Sequence, residues 1–165
     1  MQKNVETKGK CRPNQTKFSF GGTSAIITIL GLIIGLDSTA NPKVVIISGI
    51  LVIALADNIS DSLGIHIFQE SECVDKKEVW LSTITNFFTR LFVSLSFVAL
   101  VAFLPLNLAV PCSVVWGMGL LAAISYSIAR GRGLNPYQSI LEHFSIAIVV
   151  IIASEFAGKW LMKKF

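Results

Sequence analysis

The chain has 165 residues, of which 53% are hydrophobic and 15% charged, with a formal net charge of +4 at pH 7 and a mean hydropathy of +0.67. A soluble domain carries roughly 25% charged residues, so this composition excludes an ordinary water-soluble globule and points to one membrane domain. Five of the fourteen basic residues (Lys3, Lys8, Lys10, Arg12 and Lys17) lie in the N-terminal tail, which is not the layout of a nucleic-acid footprint.

Residues 1–17 read as a cytosolic polar tail. It has neither an apolar h-region nor a cleavage site and does not read as a signal peptide. Phe18 to Leu36 holds no charge over 19 residues, close to the ~20 needed to cross a bilayer as helix. Gly21, Gly22, Gly31 and Gly35 keep this span slim and suit it to a close neighbour, such as its own symmetry mate. Asp37 to Pro42 is a turn, since the position before proline disfavours helix.

A second, extended helix is expected from about Lys43 to Glu72, followed by a short charged connection. A third span covers roughly Ser82 to Leu104, interrupted by Arg90 and closed by Pro105. A fourth runs from about Leu108 to Arg130, and a fifth from about Tyr137 to Ala157 after the loop around Asn135-Pro136. The fold class is therefore all-α, an integral membrane bundle of five transmembrane helices over residues 18–158, with a short C-terminal tail at 159–165. With the N-terminus in the cytosol, the cytosolic segments hold nine Lys and Arg near span ends and the opposite side four, which favours that orientation. The compact loops lean towards a prokaryotic plasma membrane. Cys11, Cys73 and Cys112 are widely separated and form neither a disulfide framework nor a thiolate metal site.

Ionisable groups within a membrane helix are costly, which makes them functional candidates. Counting ~1.5 Å per residue from Val44, Asp57 lies about 20 Å across the bilayer and Asp61 about 26 Å, in the cytosolic half. His66, Glu70 and Glu72 emerge beyond them. Thr23 and Ser24 of the first span, Asn86, Thr89 and Arg90 of the third, Ser125 and Ser127 of the fourth, and Glu142 and His143 of the fifth fall near the same depth. The layer suggests a wet vestibule open to the cytosol below an apolar plug. Around the second helix, Asp57, Asn58, Asp61, Ser62 and Gln69 share an arc of about 140°. That arc is expected to face the vestibule, and Leu63, Ile67 and Ala56 the packing partners.

Carboxylates, an amide, hydroxyls and an imidazole make a ligand set for Fe²⁺, Mn²⁺ or a similar ion. The expected metal residues are Asp57, Asn58, Asp61, His66, Glu70 and Glu72, with Thr23, Ser24 and Ser62 lining the pathway. Two acids one turn apart in low dielectric do not both stay ionised without a cation, so exchange of metal for proton is the simplest coupling. Arg90, Glu142 and His143 are the proton or ion-pair partners. Other readings stand beside these. Arg90 can form a structural ion pair with Asp57, which would leave Asp61 without an obvious cation. His66 reads equally as a solvated histidine, and Glu70 and Glu72 as part of a solvated loop. No Gly-x-Ser-x-Gly, His-Glu-x-x-His or nucleotide loop is present, so the chain is not expected to be an enzyme or to carry a resident cofactor.

Phe20-Gly-Gly-Thr-Ser-Ala-Ile-Ile-Thr-Ile-Leu-Gly-Leu-Ile-Ile-Gly-Leu36 resembles the glycine-rich opening of the vacuolar iron transporter family. Ile59-Ser-Asp-Ser-Leu-Gly64, with Gln69-Glu-Ser-Glu72 after it, resembles that family's second helix, and Leu104-Pro-Leu106 and the five spans fit as well. The resemblance implies a homodimer that moves Fe²⁺ or Mn²⁺ out of the cytosol against protons. The chain departs from the family at three points. Phe20 stands where the family has an aspartate, Asp61 stands where it has a methionine ligand, and the cytosolic metal-collecting helices between spans two and three are missing. Divalent-metal export in exchange for protons is the first expectation. The alternative is a non-transporting membrane protein whose polar layer only packs helices or docks a partner.

Overall fold

Prolines, a left-handed glycine and two short polar turns divide the chain into helices, and no strand occurs among the described residues. The structure, a computed structural model, describes the backbone of residues 13–164 and the side chains from residue 21 onward. The helices are α1 (Pro13–Leu36), α2 (Pro42–Ser71), α3 (Lys76–Phe103), α4 (Leu106–Arg132) and α5 (Pro136–Lys164). Four of them, α2 to α5, are long and apolar enough to cross a membrane, and the chain is an integral membrane protein. In α1 the apolar stretch with described side chains is Gly21–Leu36.

The boundaries follow local chemistry. α3 begins six residues earlier than expected, because the Asp75 side chain accepts a hydrogen bond from the Lys77 amide at 2.9 Å and caps the helix. α4 stops where Gly133 turns left-handed at φ 70°. That turn lets Leu134 N–H return to Ala129 C=O at 2.9 Å. Residues 159–164, expected as a tail, continue α5 as helix, and residues 13–17 belong to α1. The rest of the expected N-terminal tail, residues 1–12, lies outside the described residues.

α1 is the central column. Ala25, Ile26, Ile29, Leu30 and Ile33 are all buried, and α1 touches each of the other four helices. Phe97 and Val101 of α3, Ala109 and Leu121 of α4, Ala147 of α5, and Ile46 and Ile50 of α2 close the apolar core around it. Gly31 and Gly35 of α1 lie against Ser154 and Gly158 of α5, and a methyl group on Gly158 would run into the Gly35 carbonyl oxygen. This corrects one expectation. The glycine face of α1 is spent inside the protomer against α5 and is not free for a symmetry mate. Without a hydrophobic drive between helices in lipid, close backbone approach and dispersion hold such a seam.

α2 packs antiparallel on α3. Lys43 Nζ donates to Leu104 C=O at 3.1 Å at one end, Asn86 Nδ2 to Ser62 Oγ at 3.1 Å further along, and His66 Nδ1 meets Thr83 Oγ1 at 3.0 Å beyond. Residue numbers rise on one helix as they fall on the other, so the register is continuous along the seam.

Candidate functional site

The buried residues of α2 recur every fourth position: Ile46, Ile50, Ala54, Asn58 and Ser62. Four residues overshoot one α-helical turn by about 40°, so a straight α-helix would carry this stripe off the α3 face. A π-helical turn at Ile53–Asp57, in which Asn58 N–H reaches back to Ile53 C=O, winds more slowly and takes up part of the drift. It ends where the charged residues begin.

Arg90, on α3, is fully buried opposite that point. Its Nη2 pairs with Asp57 Oδ2, its Nη1 lies 2.5 Å from Asp61 Oδ2, and its Nε donates to Asn58 Oδ1 at 2.7 Å. Asp57 and Asp61 lie one turn apart, a spacing that the fork of a guanidinium can span. Nη1 makes no aligned hydrogen bond, so the Asp61 link is charge pairing alone. Asp61 also accepts from Ser24 Oγ of α1 at 3.5 Å. The two acid side chains keep 39% and 31% of their surface exposed while Arg90 keeps none. Two carboxylates thus share one guanidinium, with an excess of one negative charge when all three are ionised.

Several expectations change here. Asp61 is not left without a cation, because Arg90 reaches both acids. The polar arc of α2 does not face a vestibule with the apolar arc packed behind it. Asn58 and Ser62 are buried against α3, whereas Ile59, Leu63 and Ile67 are 58%, 54% and 57% exposed. In lipid an apolar face costs nothing outside, and the polar groups must find partners within.

The six expected metal residues do not assemble into one site. Asp57, Asn58 and Asp61 gather at Arg90. His66 and Glu70 form a separate pair, and Glu72 is exposed at the end of α2. No group of three or more His, Cys, Asp or Glu that could hold a metal ion occurs among the described residues. At the first of these places the Arg90 guanidinium lies between the acids and pairs with one oxygen of each.

Of the pathway residues, Ser24 and Ser62 join the layer through Asp61 and Asn86, and Thr23 is half-buried beside Ser24. Neither Glu142 nor His143 pairs with Arg90. His143 Nδ1 lies 2.7 Å from Ser125 Oγ, and Glu142 is exposed. Two residues were missed, Trp80 and Thr83, which hold the His66 ring. Their three-residue spacing puts both on one face of α3, and a helix begun at Ser82 leaves Trp80 outside it.

No family model, curated protein or solved structure matches the chain.

Proposed function

We propose that the chain is a membrane transporter of five spans that exports a divalent metal, Fe²⁺ or Mn²⁺, from the cytosol in exchange for protons. The N-terminus is cytosolic, and a prokaryotic plasma membrane is the setting. The observation that carries this reading is the charge count at Arg90. Two partly exposed carboxylates converge on one buried guanidinium, and the remaining negative charge calls for a proton or a cation. A proton on either acid neutralises the cluster, and an arriving metal ion would take its place. Asp61, which Arg90 holds by charge without an aligned hydrogen bond, is the acid that exchanges. Asp57 and Asn58 keep the arginine in place.

A homodimer, which the family resemblance implies, would use the outward face of α2. Ala56, Ser60 and Gly64 recur there at four-residue spacing and are exposed, a pattern that permits close helix approach.

The test is uptake of Fe²⁺ or Mn²⁺ into inside-out vesicles carrying the purified protein, with a trapped pH dye. Asp61→Asn is expected to abolish both metal uptake and the accompanying proton release while the protein still folds; unchanged flux sinks the assignment. A second reading is favoured by the complete burial of Arg90 and its aligned bond to Asn58. On this reading the cluster only fastens α2 to α3, and the chain carries nothing. It requires that wild-type vesicles show no metal-dependent flux and that divalent ions leave the melting temperature unchanged, since binding to the folded state would raise it.

A further inference from the structure

At the end of α2 beyond the Arg90 cluster, Thr83 and Trp80 of α3 hold one imidazole in place. Thr83 Oγ1 spends its single hydrogen on Val79 C=O, at 2.9 Å. With its hydrogen there, Thr83 Oγ1 is an acceptor for His66 Nδ1 at 3.0 Å. The tautomer that follows carries its lone pair on Nε2. That atom lies 3.5 Å from Glu70 Oε1, which also has only lone pairs to offer. In that tautomer two acceptors face each other, and a cation between them, a proton or a metal ion, makes the arrangement favourable.

The distance leaves room for a metal ion. At 3.5 Å the pair is at the outer limit of a hydrogen bond. Two ligands each about 2.1 Å from an ion, at a tetrahedral angle, stand roughly 3.4 Å apart. A metal-bound histidine usually donates its other ring N–H to an oxygen, which fixes its tautomer and orientation. Here Thr83 accepts that N–H and passes its own hydrogen to the α3 backbone. Trp80 packs edge-on against the ring, with centroids 4.8 Å apart, and limits its rotation. The imidazole side chain is 15% exposed and the carboxylate 57%, so water can complete the coordination of an ion.

We infer that His66 Nε2 and Glu70 form a two-ligand docking site for a divalent first-row transition ion at the cytosolic mouth, with Thr83 as the residue that positions His66. Imidazole with carboxylate suits such ions over Mg²⁺ or Ca²⁺. With only two protein ligands the ion is held exchangeably, as an ion collected for onward passage must be. That use rests on the transporter reading; the binding chemistry does not.

The experiment uses the full chain in detergent micelles with Trp116→Phe and Trp160→Phe, which leaves Trp80 as the reporter beside His66. Titration with Co²⁺, a paramagnetic quencher, is expected to reduce its fluorescence along a saturable curve, and Mg²⁺ to leave it unchanged. His66→Gln is expected to remove saturation, and exposed Glu70→Gln to shift the midpoint upward by tenfold or more. Thr83→Val, which touches no ion, is expected to raise the midpoint about tenfold with saturation retained. Asp61→Asn is expected to leave the curve in place, so loss of flux and loss of docking are separate results. A quench that never saturates in the unsubstituted reporter, or a curve that His66→Gln does not alter, overturns the site.

Discussion

Helix α2 meets α3 through side chains that reach across, whereas α1 meets α5 through positions where side chains are nearly absent. In the first seam Arg90 extends from α3 to Asp57, Asn58 and Asp61. In the second, Gly31 and Gly35 sit against Ser154 and Gly158 at backbone distance. Both answer the same problem, because lipid supplies no hydrophobic force to drive helices together. The answers differ in what they permit. A seam of small residues has one arrangement and carries no charge to exchange. A seam of two acids and one base carries one negative charge in excess when all three are ionised.

The widest difference should appear on removing the base. Arg90→Met leaves Asp57 and Asp61 facing each other without compensation. Breaking a buried pair costs about 3–5 kcal/mol, and the partial exposure of both acids places this case at about 3. Denaturation in mixed micelles would measure it. The triple variant with Asp57→Asn and Asp61→Asn should recover most of that loss, because the unpaired charge is what costs. No recovery would mean that packing, not charge, holds this seam.

On the other seam, Gly158→Leu should destabilise by about 1–3 kcal/mol through overpacking against Gly35. It should do so equally with or without divalent ions, and a metal-dependent loss would show the two seams to be coupled. The smallest effect belongs to Ser24→Ala. Its 3.5 Å contact with Asp61 is at the edge of a hydrogen bond, and polar contacts between membrane helices average only about 0.6 kcal/mol. A change well above that figure would show that α1 takes part in holding the acids.

The His66 and Glu70 pair lies at the far end of the α2–α3 seam, where His66 meets Thr83 and Trp80. It lies on one helix, at i and i+4, and neither member reaches Arg90. Substitution of the exposed Glu70 by Gln should therefore leave stability almost unchanged while altering Co²⁺ quenching of Trp80, the reverse of what Arg90→Met does.

By itself, the amino-acid sequence determined the helices and their order. Uninterrupted apolar runs, Pro42, Pro105 and Pro136, and the charged turn before Lys76 are local signals, and local hydrogen bonding decides where a helix starts and stops. It also determined that polar residues of five different helices share one depth, because rise per residue is constant. Which way those residues turn was decided only in the tertiary structure. The outward or inward sense of the α2 polar arc depends on whether the outer solvent is lipid, and on what α3 presents. The reach of one guanidinium to both Asp57 and Asp61 depends on where α3 sets Arg90 against α2. The fate of the α1 glycines depends on where α5 returns, more than a hundred residues later. The order of elements follows from neighbours in the chain, but the pairing of charges and surfaces follows from neighbours in space.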